Sequence, residues 1–91
     1  MKPITELVTV ILSEYDLENI VYEDYNLDEY KIEAEAISAF IINNYKRLNE
    51  TILADNIQYV FLRYFSDLID YDICLDVANT IIEALKLNKL L

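Results

Sequence analysis

The chain contains no glycine, no histidine and no tryptophan, and only one proline, one cysteine and one methionine in 91 residues. Average usage would give about six glycines in a chain this long. Glycine supplies the positive-φ positions of tight hairpins, bulges and phosphate-cradling loops. Its absence argues against a β-rich fold and removes every Gly-rich nucleotide loop. Without histidine, the side chain that most often moves protons at neutral pH is missing. His-based triads and the Glu-x-x-His di-iron site of helical bundles go with it. One cysteine cannot close an intramolecular disulfide, which suits a reducing compartment. Bases are scarce too: seven against 17 acids, for a formal charge of −10. Such a balance repels nucleic acid and anionic membranes and attracts basic partners. No apolar run approaches the ~18–20 residues of a membrane span. The opening MKPITELVTVIL is interrupted by Glu6 and is followed by no small-residue cleavage site, so it does not read as a signal peptide. The sequence reads as a soluble, cytoplasmic protein.

What is present points to helices. The hydrophobic share is 55%, which excludes low-hydrophobicity disorder despite the charge. A chain this short forms one domain, residues 1–91. The pattern predicts an all-α bundle of about four helices, near residues 3–15, 28–48, 51–69 and 72–87, with an irregular acidic connection at 16–27.

In the first helix, Ile4, Leu7, Val8, Ile11, Leu12 and Tyr15 share one face, and Val10 lies off it. In the second, Tyr30, Ala34, Ile37, Ile41, Asn44 and Leu48 make a seam, with Asn26 or Asp28 as N-cap. A second stripe of Ile32, Ala36 and Ala39 predicts contact on two sides. The third helix follows a turn near Asn49 and carries apolar residues over most of its circumference, from Leu53 to Leu68, including Tyr59, Leu62 and Tyr64. That pattern predicts the central helix of the core. Asp70 or Asp72 caps the fourth helix, whose stripe of Ile73, Val77, Ile81, Ala84 and Leu85 is widened by Cys74, Ala78 and Ile82. Leu87, Leu90 and Leu91 leave an apolar tail.

No catalytic or metal motif emerges, and the sequence predicts no enzyme activity, no cofactor and no metal. The many carboxylates suit a solvated surface better than a catalytic pair. Cys74 reads as a small core hydrophobe. Asp67, Asp70, Asp72 and Asp76 lack the glycine and the twelfth-position glutamate of a calcium-binding EF-hand loop. The serines stand in LSE, ISA and FSD contexts, so the Asp-Ser-Leu motif of acyl carrier proteins is absent. Asp67-Leu68-Ile69-Asp70-Tyr71 is similar, over five residues with one mismatch, to the Asp-Leu-Ile-Tyr-Tyr segment of nuclease-colicin immunity proteins. Those are acidic helical bundles that use tyrosines and carboxylates to bind a basic toxin. The likeness supplies a model of how an acidic surface works without assigning the family.

Residues 14–35 hold the strongest functional signal. Glu14, Asp16, Glu18, Glu23, Asp24, Asp28, Glu29, Glu33 and Glu35 stand against a single base, Lys31. Tyr15 and Tyr30 fall on core stripes; Tyr22 and Tyr25 do not. A tyrosine among carboxylates offers large contact area at low entropy cost, and the acids speed encounter with a basic partner. The candidate partner-binding residues are Tyr22, Glu23, Asp24, Tyr25, Asp28, Glu29, Glu33 and Glu35. The expectation is a small inhibitor or modulator that docks an acidic, tyrosine-bearing surface on a basic, nucleic-acid-handling protein, of the type carried by phages and mobile elements. Carboxylates one helical turn apart, such as Glu29 and Glu33, are ~6 Å apart, which allows nucleic-acid mimicry. It would bind neither nucleic acid nor membrane itself. The alternative is a structural helical homo-oligomer, such as a homodimer, that buries the surplus apolar faces.

Overall fold

Residues 2–19 and 27–91 are described by a computed structural model. The first helix, α1, spans Lys2–Tyr15 with Pro3 in its opening turn, where a missing N–H costs nothing. Val8, Ile11 and Leu12 are buried and Val10 is exposed, as the spacing predicts. The helix stops because Asp16 takes a left-handed conformation, φ 49°, while its N–H still reaches the Leu12 carbonyl at 2.8 Å. Lacking glycine, the chain puts Asp16, Asn19, Ser66 and Lys89 at such positions among the described residues. Asp and Asn tolerate that region; Ser and Lys enter it at greater cost.

The predicted second helix is broken at both ends. A 3-10 turn, Leu27–Tyr30, precedes α2, Lys31–Asn44, and a second 3-10 turn, Tyr45–Arg47, follows it. Neither Asn26, which lies outside the described residues, nor Asp28 is the cap residue. That place falls to Tyr30, which makes no side-chain cap bond. At the far end the Asn44 side-chain amide donates to the Phe40 carbonyl at 2.8 Å, and its φ of −130° leaves the helical region. Local side-chain bonding of this kind competes with the helical ladder. Tyr30, Ala34, Ile37 and Ile41 are fully buried, but Ile32 is 60% exposed. The predicted second stripe therefore finds no partner helix at Ile32.

The third helix, α3, runs Glu50–Phe65, with the Asn49 side chain accepting from the Ile52 N–H at 2.9 Å. It ends at Phe65, four residues short of the predicted end, with left-handed Ser66 as its C-cap. The early stop lets Ile69 turn into the core, 7% exposed, where its carbonyl accepts from the Gln58 side chain at 2.8 Å. Leu53, Ala54, Ile57, Val60 and Phe61 are buried, whereas Tyr59, Leu62, Tyr64 and Leu68 are exposed. α3 is thus amphipathic, with one face in the core and one in solvent, rather than a central helix buried on most of its circumference. Asp70 caps α4, Tyr71–Leu87, by accepting from the Asp72 N–H. α4 buries Cys74, Val77, Ala78, Ile81, Ile82 and Leu85.

The four helices close a ring in which α1 touches α2 and α4, and α3 touches α2 and α4, most extensively α4. Among the described residues the diagonal pairs do not meet. The result is an all-α four-helix bundle around one core. Its far corner is finished by the end of α4. Lys89 is left-handed, its N–H bonds the Lys86 carbonyl, and the Leu90 N–H bonds the Leu85 carbonyl. That pair of bonds is a Schellman turn, and it folds Leu90 back against the core. No helix among the described residues is long and apolar enough to cross a membrane.

Candidate functional site

Of the candidate residues, Tyr22, Glu23, Asp24 and Tyr25 lie outside the described residues. Asp28 is in the 3-10 turn before α2, Glu29 beside it is half-buried, and Glu35 is exposed. Glu33 departs from the surface role given to it by its charge: it is 6% exposed. A signal for this was present, since Glu33 sits four residues before Ile37 and eight before Ile41, on the buried face of α2.

Glu33 belongs to a group of acids gathered around Tyr30. The Tyr30 ring packs against Phe61 and Phe65 with centroids 6.0 Å away from each, and those two rings stack at 5.5 Å. Its hydroxyl donates to the Asp16 carboxylate at 2.7 Å and accepts from the Glu18 N–H at 2.9 Å. The left-handed bend at Asp16 brings both groups over the ring. Burial, with the Asp16 hydrogen bond second, pushes the phenol far above its usual range.

Glu18 has one carboxylate oxygen, Oε2, buried with no hydrogen-bond partner. Burial, then the adjoining Asp67 carboxyl and the charge of Glu33, pushes the Glu18 carboxyl from 4.5 up to about 7. Burial also raises Glu33, an effect its own backbone N–H partly offsets. Asp16, Glu18, Glu33 and Asp67 come from the end of α1, from α2 and from the α3–α4 link. Two of them, Glu18 and Glu33, hold their protons to higher pH than a free carboxyl, because burial disfavours the charged form.

A second acidic feature was not visible in the sequence. Glu50 at the start of α3 meets Asp72, Asp76 and Asn79 of α4 around an open trough over Leu75. The pair Asp72 and Asp76 is legible as one turn of a helix; the approach of Glu50 depends on how α3 packs on α4. Asp76 also accepts from the Tyr15 hydroxyl at 2.9 Å, tying α1 to α4. No base lines this trough.

The similarity between residues 67–71 and the immunity-protein segment does not extend to a free surface throughout. Ile69 is buried, and the Tyr71 hydroxyl donates to the Asp55 carboxylate at 2.7 Å. Cys74 is fully buried, and burial followed by the charge of Asp70 pushes its thiol up to about 11. No group of three or more Cys, Asp or Glu side chains among the described residues is placed to hold a metal ion.

Bases are distributed unevenly. Tyr45, Leu90 and Leu91 share a depression with Ile4, Ile41 and Ile42, so the start of α1, the end of α2 and the end of the chain lie together. Five of the seven bases, Lys2, Lys46, Arg47, Lys86 and Lys89, belong to those three segments. Only Lys31 and Arg63 lie elsewhere. Compared with known proteins, no family model matches this chain, and neither a curated protein nor a solved structure is similar to it.

Proposed function

We propose that this protein is a small protein-binding module that docks an acidic surface on a basic partner and so inhibits or modulates a nucleic-acid-handling protein. The observation that carries the reading is charge segregation. Among the described residues, the exposed bases Lys46, Arg47, Lys86 and Lys89 belong to the ends of α2 and of the chain, which lie together, and only Lys31 and Arg63 accompany the acids elsewhere. Like charges left together raise the local field, which steers a basic partner and suppresses wrong ones. Tyr22, Glu23, Asp24 and Tyr25 remain the proposed centre, joined by Asp28, Glu29 and exposed Glu35. Glu33, buried in α2, stands outside the proposed contact surface.

Affinity capture from cell lysate at low and high salt tests the reading, with the recovered proteins identified. The wild type is expected to retain a basic protein that a Glu23, Asp24, Asp28, Glu29 alanine variant loses. A variant that keeps every partner with the same salt sensitivity sinks the idea.

A second reading, helical self-association, draws on the outer face of α3, where Tyr59 is 61% and Leu62 48% exposed. Exposed apolar residues grouped on one helix face suit contact with another copy. Light scattering decides it: a monomer at high concentration removes it.

A further inference from the structure

The basic end of the bundle carries an inference separate from the acidic surface. Ile4, Ile41, Ile42, Tyr45, Leu90 and Leu91 line an open apolar groove there. Tyr45 is 56% and Leu91 46% exposed, while Ile41 at the floor is fully buried. Two further depressions continue it, one sharing Tyr45 and reaching Arg47, the other sharing Leu90 and reaching Val10 and Glu6. Lys46, Arg47, Lys86 and Lys89 are all exposed around this end. The Lys46 ammonium lies 6.0 Å from the Tyr45 ring, so the tyrosine itself helps to place the charge.

We propose that this groove is a docking site for a short acidic and apolar segment of a partner protein, whose apolar side chains enter between Tyr45 and Leu90 and whose carboxylates meet the surrounding lysines and arginine. The occupant follows from charge complementarity on the Tyr45 side: Lys46 and Arg47 line the adjoining depression while Glu6 lines the one on the Leu90 side, so an apolar segment is selected whose acids fall toward Lys46 and Arg47. The net charge of −10 does not prevent this. The molecule is 34 Å long, and screening at physiological salt acts over about 8 Å. A segment bound at this end responds to the local rim. A recessed floor also favours side chains over a membrane, because a flat lipid surface leaves a groove unfilled. A protein with both surfaces engaged would bridge a basic partner and an acidic one.

The test uses the full chain, labelled with nitrogen-15 and titrated with three probes. The first is a synthetic amphipathic helical peptide of leucine and glutamate. The second has lysine in place of each glutamate, and the third is vesicles of anionic phospholipid. Saturable amide shifts at Ile42, Tyr45, Lys46 and Leu91 are expected with the glutamate peptide and not with the lysine peptide. The double variant Lys46→Glu, Arg47→Glu is expected to weaken that binding by roughly tenfold, with its remaining spectrum unchanged. A Tyr45→Ala variant, with every rim charge kept, should weaken it as well. The proposal is overturned if the glutamate peptide gives no saturable shifts at these residues, if the lysine peptide binds as well, or if the charge variant binds undiminished. Shifts produced by vesicles alone overturn it in favour of a lipid surface. Because the acids of residues 22–29 are untouched, loss of this binding leaves capture of a basic partner intact, and the converse holds.

Discussion

Glu18 shows how much one misplaced-looking carboxyl can matter. Its pKa rises from 4.5 to about 7 because the fold partly shields it from water and Asp67 and Glu33 face it. The sign follows directly. Below 4.5 the group is protonated in both folded and unfolded chains and contributes nothing to pH dependence. Between 4.5 and 7 the unfolded chain gives up the proton while the folded chain keeps it, so stability falls as pH rises. Above 7 the full penalty stands, and because water still reaches this part-exposed carboxyl, screening holds it to about 1 kcal/mol or less. Glu33, raised in the same direction, adds to the slope. Urea unfolding should therefore show a lower midpoint above pH 7 than near pH 4.5. Glu18→Gln, which keeps the shape without the charge, should flatten that dependence and exceed the wild type in the alkaline range. A wild-type midpoint that does not fall across this window would refute the account. Tyr30→Phe tests the same site from the other side. It removes the acceptor of the Glu18 N–H and the donor to Asp16, and a loss of about 1–3 kcal/mol is expected in the same unfolding experiment.

Single helices stop and start where their end residues dictate, and those ends set what each element offers. Asn49 accepts from the Ile52 N–H; Asn49→Ala should cost about 1 kcal/mol and show as a lower thermal midpoint. Ser66 ends α3 at φ 55°, a conformation that glycine adopts without steric cost. Ser66→Gly should raise stability by roughly 0.5–1 kcal/mol, less whatever the freer unfolded chain takes back. A fall in the thermal midpoint would show that the hydroxyl or the stiffer backbone outweighs the strain. The helix stripes of α1 and α4 were legible because one face of each is apolar and the other polar. For α3 the apolar pattern ran round most of the helix, and composition alone left no way to choose the buried side. Contact with α2 and α4 chose Leu53, Ile57, Val60 and Phe61 and left Tyr59 and Leu62 outside.

For the whole molecule, a 91-residue domain has about 5–14 kcal/mol of stability to lose. Phe61 is fully buried and joins the ring cluster with Tyr30 and Phe65. Truncation to alanine should cost about 3–5 kcal/mol, enough to leave the bundle marginal at ordinary temperature. Leu62→Ala, on the exposed side of the same helix, should stay within about 0.5 kcal/mol. Equal losses in the two variants, measured by urea unfolding, would mean that the assigned faces of α3 are wrong.

What the sequence by itself determined was the class and, for α4, the choice of cap between Asp70 and Asp72. Glycine-free composition, helical spacing of Leu, Ile and Val, and the turn near Asn49 are local properties, and a four-helix bundle follows from them; the cap expected of α2 at Asn26 or Asp28 did not hold. Cys74 and Tyr30 went to the core for the same reason: each lies in register with a buried stripe. Tertiary structure alone decided which acids meet. Glu18, Glu33 and Asp67 are far apart along the chain, and so are Glu50 and Asp72. Their mutual burial or repulsion exists only once the helices pack. The gathering of Lys46, Arg47, Lys86 and Lys89 at one end has the same origin. Each lies near a helix terminus, but only the packing of the bundle brings the start of α1 beside the ends of α2 and α4. Propensity acts over a few residues, whereas Coulomb forces act between whatever the packing makes adjacent.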